Sequence, residues 1–280
     1  MSTTPPVSKR TASGTAYKVA GPADANPIVL IHGLGLSHEL WADHSPTFEA
    51  THRVVSYDLY GHGESAPPAT EATLAIYAAQ IVELLDDLGL DSAAIVGFSI
   101  GGMINRRLVL DYPDRVSSLV ILNSPHDRGA EAQLAIEARV GTVRQQGAMS
   151  TMDAALKRWF TPGHLEEHPE HEQLVRRWRN NVDPEGYAQA TWALAHGVRE
   201  LVAPSPPIRC PTLVMTCEHD SGSTPAMAHA IAAETAGAET IVVDRLQHLG
   251  LMEAPSLFID PILDFLERHA PNAPLRAELI

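Results

Sequence analysis

Gly97-Phe98-Ser99-Ile100-Gly101 decides the reading of this chain. The pentapeptide follows the apolar run Ala93-Ala94-Ile95-Val96 and leads into Gly102-Met103-Ile104-Asn105-Arg106-Arg107-Leu108-Val109-Leu110, whose apolar residues recur at helical spacing. A Gly-x-Ser-x-Gly between a strand and a helix makes a turn sharp enough to strain the serine backbone. Glycines are needed on either side because a Cβ there would collide with the neighbouring strand and helix. Ser99 is therefore the candidate nucleophile. The amides at the start of the following helix face its oxygen and suit a developing negative charge.

Working outward, short apolar runs recur at residues 28–31, 54–57, 93–96, 119–122, 212–215 and 240–243. Most are continuously apolar rather than alternating, the pattern of parallel strands covered on both faces. Helical patterns lie between several of them, at residues 73–88, 102–112, 224–236 and 255–269. This alternation predicts an α/β chain with a doubly wound parallel sheet. Tyr112-Pro113 closes the helix after the elbow, because proline cannot extend it and disfavours helix at the residue before.

Between residues 127 and 203 the strand pattern gives way to helical segments rich in Ala, Arg and Trp, until Pro204-Ser205-Pro206-Pro207 restores the sheet. The expected organisation is a core of residues 1–126 and 204–280 with a helical cap at 127–203. Caps lie over sites at the carboxyl ends of strands and set substrate access. No internal repeat or low-complexity segment interrupts this plan.

A chain of 280 residues, 45% of them hydrophobic, supports one large domain with a sizeable core. Its formal net charge of -14 repels nucleic acid and anionic membrane surfaces, so neither is expected as a partner. Cys210 and Cys217 are read as reduced structural thiols. Met1-Ser2-Thr3-Thr4-Pro5-Pro6 lacks the apolar stretch of a signal peptide, and no apolar run reaches membrane-spanning length. The expectation is a cytoplasmic protein with a frayed N-terminus, acting on a small molecule; the sequence leaves dimerisation open.

A serine at its free pKa needs a base within reach and an acid to orient that base. For a serine on a strand-to-helix elbow, the partners follow in the order acid, then histidine. Asp220, in Cys217-Glu218-His219-Asp220, follows the run at 212–215 and so falls on the same rim as Ser99. It is the preferred acid, with Glu218 and Asp127 as alternatives and a solvated turn as the bland reading. His248 is the one histidine between the last strand pattern and the last helix, and is the candidate base. The oxyanion hole needs two backbone donors. Ile100 supplies one, and Leu34 in His32-Gly33-Leu34-Gly35 supplies the other, with His32 expected to fix that loop.

Taken together, His32-Gly33-Leu34-Gly35, Asp58-Leu59-Tyr60-Gly61-His62-Gly63-Glu64-Ser65, the Ser99 elbow, Asp220 and His248 resemble the α/β-hydrolase superfamily. The resemblance implies an α/β-hydrolase fold with a mostly parallel sheet and a helical cap inserted after the sixth strand. Asp220-Ser221-Gly222-Ser223-Thr224-Pro225 resembles the aspartate loop and proline-started helix of that superfamily. The segment 58–65 would be a structural loop bordering the pocket. Within the superfamily, Lys157-Arg158-Trp159-Phe160-Thr161-Pro162, with Leu122-Asn123-Ser124 before it, is similar to 3-oxoadipate enol-lactone hydrolases. That resemblance implies a cofactor-free ester or lactone hydrolase acting on a small carboxylate-bearing substrate. The chain departs from the pattern at Pro125-His126-Asp127-Arg128.

Arg128, Arg139, Arg144, Arg158, Arg176, Arg177 and Arg179 all fall in the cap of an acidic chain. Arginine grips a carboxylate through a planar two-point fork. One of these facing inward would select an anionic substrate, while most are expected to be solvated helix faces. Arg128 alone follows a core strand directly and is the candidate substrate-binding cation. Trp159 is the candidate pocket wall, with Trp178 and Trp192 read as packing. His164, His168 and His171 have spacings that could serve a metal, but Pro169 and the surrounding glutamates make an exposed polar loop the expectation, and no metal is assigned. Two rivals share these residues: carbon-carbon bond hydrolysis or perhydrolysis on the same triad, and a non-catalytic ligand receptor on the same fold.

Overall fold

A single eight-stranded sheet organises the computed structural model, which describes residues 9–270; the N-terminal stretch expected to be frayed lies outside the described residues. The strands are β1 (Lys9–Arg10), β2 (Ala16–Ala20), β3 (Pro27–Ile31), β4 (Arg53–Tyr57), β5 (Ala93–Phe98), β6 (Val116–Leu122), β7 (Thr212–Cys217) and β8 (Glu239–Val243). Their spatial order is β1-β2-β4-β3-β5-β6-β7-β8. All pairs from β4 to β8 are parallel, while β1 and β2 form an antiparallel edge.

β1 and β2 are additions to the six runs seen in the sequence. Both residues of β1 are exposed, and β2 lies between two antiparallel partners, so neither carries the continuous apolar signature of a doubly covered parallel strand. With them counted, the helical insertion does follow the sixth strand.

Along the central strands successive side chains enter opposite layers, as period-two geometry requires. Val29, Ile31, Val55 and Ile95 pack in one layer. α2 (Leu74–Asp87) and α3 (Ile100–Asp111) cover it, through Ile81, Leu84, Ile104 and Leu108. Ile28, Leu30, Val54 and Val96 pack in the other layer, covered by Phe48 of α1 (Ser45–Glu49) and by Phe258, Ile262 and Phe265 of the last helix, α10 (Ser256–Arg268). Burial on both sides is why these runs read as continuously apolar. Thr73 caps α2 by accepting from the Ile76 amide at 3.3 Å, and Thr224 caps α9 (Pro225–Ala233) in the same way through Met227.

Between β6 and β7 lie α4 (Gly129–Gln146), α5 (Met152–Trp159), α6 (His164–Glu167), α7 (Pro169–Asn180) and α8 (Pro184–His196). The histidine segment departs from expectation. Pro169 starts α7 rather than breaking a helix, since proline's missing N–H costs nothing at a first helical position. The His164, His168 and His171 rings stack on one another, and His164 also stacks on Phe160, so the segment is not a free polar loop.

The strand order reverses direction at β3. β4 lies on one side of it and β5 on the other, which opens a crevice at the carboxyl ends of these strands. Ser99 follows β5 there and His32 follows β3. Among the described residues no helix is long and apolar enough to cross a membrane.

Among the described residues, three of the buried histidines are wholly enclosed in this framework: His32, His44 and His62. Burial pushes His32 and His44 down to about 4 and His62 to about 3, so all three are neutral in the folded protein at neutral pH. The unfolded chain takes up these protons near the ordinary value of 6.5, while the folded chain does not. Stability is therefore complete above that pH and is lost as pH falls towards 4, by up to about 4 kcal/mol per pH unit if all three titrate together. Urea unfolding across this range should show a steadily falling midpoint; a flat midpoint would contradict the neutral, buried assignment.

Candidate active site

The turn after β5 is built around Ser99, whose backbone is held at φ 58 and ψ -115. A Cβ at Gly97 would collide with the Gly101 carbonyl, and one at Gly101 would lie 2.7 Å from the Ile31 carbonyl oxygen. The Ser99 amide donates to the Leu122 carbonyl at 2.8 Å, tying the elbow to β6. Ser99 thus stands at the mouth of the crevice with its Oγ directed at the loops that follow β7 and β8.

Those loops carry Asp220 and His248. His248 Nε2 lies 3.1 Å from Ser99 Oγ, and His248 Nδ1 lies 2.6 Å from Asp220 Oδ2. The carboxylate fixes the tautomer: Nδ1–H donates to Asp220, which leaves Nε2 free to accept from the serine hydroxyl. Asp220 is 2% exposed, and burial alone would raise its pKa. The adjoining His248, the Asn123 amide and the backbone amide of Gly222 outweigh that burial and hold the carboxyl below its usual range. The two alternative acids lie outside this row. Glu218 accepts from the Arg245 amide at an exposed turn, and Asp127 accepts from the Gly129 amide.

Asn123 is a site residue that sequence reasoning missed as a participant. It lies just past β6 with φ 45 and donates from Nδ2 to Asp220 Oδ2 at 2.9 Å. With Gly222 and Ser223 donating to Oδ1 at 2.8 and 2.9 Å, Asp220 has four hydrogen bonds. The available signal is an Asn at a strand end, one of the few non-glycine residues that tolerate a left-handed backbone.

The loop after β3 is fastened by His32, as expected. Its Nδ1–H donates to the Gly33 carbonyl at 2.7 Å and its Nε2 accepts from the Leu59 amide at 3.0 Å. This use of both ring nitrogens requires the neutral imidazole that burial favours. Neither Leu34 nor Ile100 donates its amide to a carbonyl outside its own element. Both amides, the expected oxyanion donors, are thus uncommitted beside the elbow.

A cavity of about 350 Å³ opens above Ser99, lined by Leu34, Phe98 and His248 from the sheet side. Trp159 forms part of its wall and packs against the His248 ring, with centroids 6.0 Å apart. The Leu249 amide donates to the Trp159 carbonyl at 2.8 Å, which ties the histidine loop to the end of α5. Trp178 instead donates to Glu39, and Trp192 stacks on His196, as packing residues do.

Arg128 lines the cavity, and most of the other cap arginines are solvated as expected; Arg139 and Arg179 are the exceptions. Both line the same cavity, Arg179 being 2% exposed, whereas Arg158 borders it as an exposed side chain. Arg144, Arg176 and Arg177 do face outward, each beside a carboxylate. The helix direction that separates the two groups is set by packing between helices, which spacing alone does not reveal.

Comparison with known proteins agrees with this architecture. A model of the alpha/beta hydrolase fold family matches residues 26–255. The (E)-2-((N-methylformamido)methylene)succinate hydrolase of Acinetobacter baylyi is 30% identical over 232 residues, covering 83% of this chain and 87% of that protein. The 3-oxoadipate enol-lactonase 2 of the same organism is 30% identical over 243 residues, covering 86% and 89%. The crystal structure of the enol-lactonase from Burkholderia xenovorans LB400 superposes with a TM-score of 0.85 at 27% identity, over 93% of this chain and 99% of that one. The chain belongs to the α/β-hydrolase fold family. The enzyme class read from its sequence, a carboxylic ester or lactone hydrolase, is also the class of the enol-lactonases among these relatives.

Replacing Asn123 by Ala removes one hydrogen bond to a buried carboxylate, a loss of about 1.5–3 kcal/mol for a bond to a charged group. Urea unfolding at neutral pH should show that decrease. Wild-type stability in Asn123→Ala would mean that the bond contributes nothing to holding Asp220.

Proposed function

We propose that this chain is a cofactor-free serine hydrolase that opens an ester or lactone of a small carboxylate-bearing acid. The observation that carries the reading is the hydrogen-bonded row Ser99–His248–Asp220 at the base of a cavity of about 350 Å³, with the serine on a strained elbow. A nucleophile, a base of fixed tautomer and a buried acid in one row suit acyl transfer.

In this reading Ser99 Oγ attacks the carbonyl carbon while His248 Nε2 takes the hydroxyl proton. The tetrahedral oxyanion is held by the Leu34 and Ile100 amides, donors aimed where charge develops. His248 returns the proton to the departing alcohol or enol oxygen, leaving an acyl ester on Ser99. Water then attacks that ester with His248 again as base, and the acid leaves with Ser99 restored. Asp220 keeps the imidazole oriented and stabilises its cationic form throughout. Residues 127–203 act as the cap over this site, on a core of 1–126 and 204–280.

Support for a carboxylate on the substrate comes from Arg128. Its guanidinium lines the cavity and donates to the Leu194 carbonyl at 3.1 Å, which holds it in place while leaving donors for a ligand. Two relatives at 30% identity have names that specify hydrolysis of a succinate derivative and of 3-oxoadipate enol-lactone, both acids.

Turnover of matched neutral esters, carboxylate-bearing esters and five-membered enol lactones tests the reading. Carboxylate-bearing substrates should be favoured in kcat/KM by at least tenfold, about 1.4 kcal/mol in the transition state. Arg128→Met should narrow that preference, and Ser99→Ala should lose about four or more orders of magnitude in kcat with folding intact. Near-normal turnover in Ser99→Ala would refute the nucleophile, and equal rates on neutral esters would refute the carboxylate.

A further inference from the structure

Most of the outward arginines of the cap find carboxylates, on the cap itself or on the core. Arg176 contacts Asp153 and Glu172, Arg177 contacts Glu39, and Arg199 contacts Glu137, at 2.6 to 2.9 Å. The arginines of the cavity differ. Among the described residues, the three enclosed there, Arg128, Arg139 and Arg179, form no ion pair, in a chain whose net charge is -14. The acidic cavity residue, Asp220, is already committed to His248.

Two of these side chains are left with unmet donors. Nε of Arg139 and Nε of Arg179 are buried and have no hydrogen-bond partner. Arg179 is almost wholly enclosed, its guanidinium stacked over Tyr187 at 4.7 Å and Trp159 at 5.3 Å. Its Nη atoms reach only carbonyls at 3.4 and 3.5 Å, the farther being that of Leu34 on the oxyanion loop. Gly35, held at φ +71, leaves room for it, since a Cβ there would collide with the guanidinium. Arg139 is acidified by burial, and the Arg158 and Arg179 charges add to that, with Tyr187 opposing. Arg128 is acidified by burial and then by Arg139. The three cations thus share one cavity wall, with Arg128 at the start of α4 and Arg179 at the oxyanion loop.

Buried like charges without counter-ions are unfavourable, and a single carboxylate, with one negative charge and about four acceptor sites, balances only part of the charge of three guanidiniums. We infer that the cavity binds a dianion: the substrate carries a second carboxylate, received by Arg139 and Arg179, in addition to the one read by Arg128. This rests on the proposed reading of the cavity as an ester or lactone site for the orientation of the ligand, and it narrows the substrate class to derivatives of small dicarboxylic acids. The stacking of Arg179 on two rings keeps its fork planar and fixed, so the two carboxylates are read at a defined separation.

Isothermal titration of the wild-type chain at neutral pH with butanoate, pentanoate, succinate, glutarate and inorganic phosphate tests the inference without turnover. Succinate or glutarate should bind at least tenfold tighter than the monoacid of equal chain length, and tighter than phosphate. Arg139→Met and Arg179→Met should each bring the diacid-to-monoacid ratio within about threefold of unity, while the surface variant Arg144→Met keeps the wild-type ratio. If a methionine variant does not fold, Arg139→Lys, which keeps the charge and loses the fork, should lower the ratio. A wild-type ratio near one, no heat from either diacid, phosphate as the tightest ligand, or an unchanged ratio in the folded arginine variants would each overturn the dianion site. Because no bond is broken in this experiment, the ester-hydrolase reading can fail while the dianion site stands. The converse holds for turnover of monocarboxylate esters without any diacid preference.

Discussion

The left-handed backbone of Ser99 is the constraint on which the rest of the site depends. A non-glycine residue at φ 58 carries a strain of about 1–3 kcal/mol and persists only where its surroundings leave no alternative. Here β5 stops against the first turn of α3, Gly97 and Gly101 remove the atoms that would force them apart, and β6 clasps the Ser99 amide through Leu122. A serine set there projects beyond the sheet, and the loops that reach it must come from neighbouring parallel strands. Parallel order is therefore what lets β3, β6, β7 and β8 all contribute from the same edge.

Buried polar groups then fix those loops. Asp220 accepts four hydrogen bonds, which leaves its carboxylate no freedom to turn away from His248. Asp58 does the same for the loops on the other side of Ser99. It accepts from the His38 amide and ring and from the Glu64 amide, joining the segment after β3 to the segment after β4. His32 bridges these same two segments through Gly33 and Leu59. Gly61 of that second segment meets Gly186 of α8 with no room for a Cβ on either, so the core loop and the cap approach backbone to backbone. Strain at one residue is supported by hydrogen bonding on both flanks.

What the sequence makes legible follows from how local each determinant is. The elbow, the acid after a strand and the histidine before the last helix are each marked by immediate neighbours, so the row Ser99–His248–Asp220 can be chosen before any fold is seen. Asn123 reaches Asp220 across 97 positions of chain, and nothing near it announces that contact. β1 and β2 escape notice because an antiparallel edge does not demand apolar residues on both faces. The arginines are the sharpest case. Arg139 and Arg144 lie on the same helix, yet one faces the cavity and the other faces Glu185. α4 has little segregation of polar and apolar residues along its length, with only Gln133, Val140 and Val143 buried, so its inward face becomes visible only once α8 is packed against it.

The distribution of charge also separates capture from recognition. A chain with net charge -14 repels anions at long range, and that repulsion fades beyond about 8 Å at physiological ionic strength. Inside the cavity the situation reverses. The guanidiniums of Arg139 and Arg179 are shielded from water, while Asp153, Glu39 and Glu137 are engaged outside with Arg176, Arg177 and Arg199. An attraction confined to a desolvated pocket is strong at contact and weak at a distance. It therefore contributes little to bringing anions to the surface and much to choosing among those that enter. The acidic exterior and the basic interior thus act at different ranges, the one on approach and the other at contact.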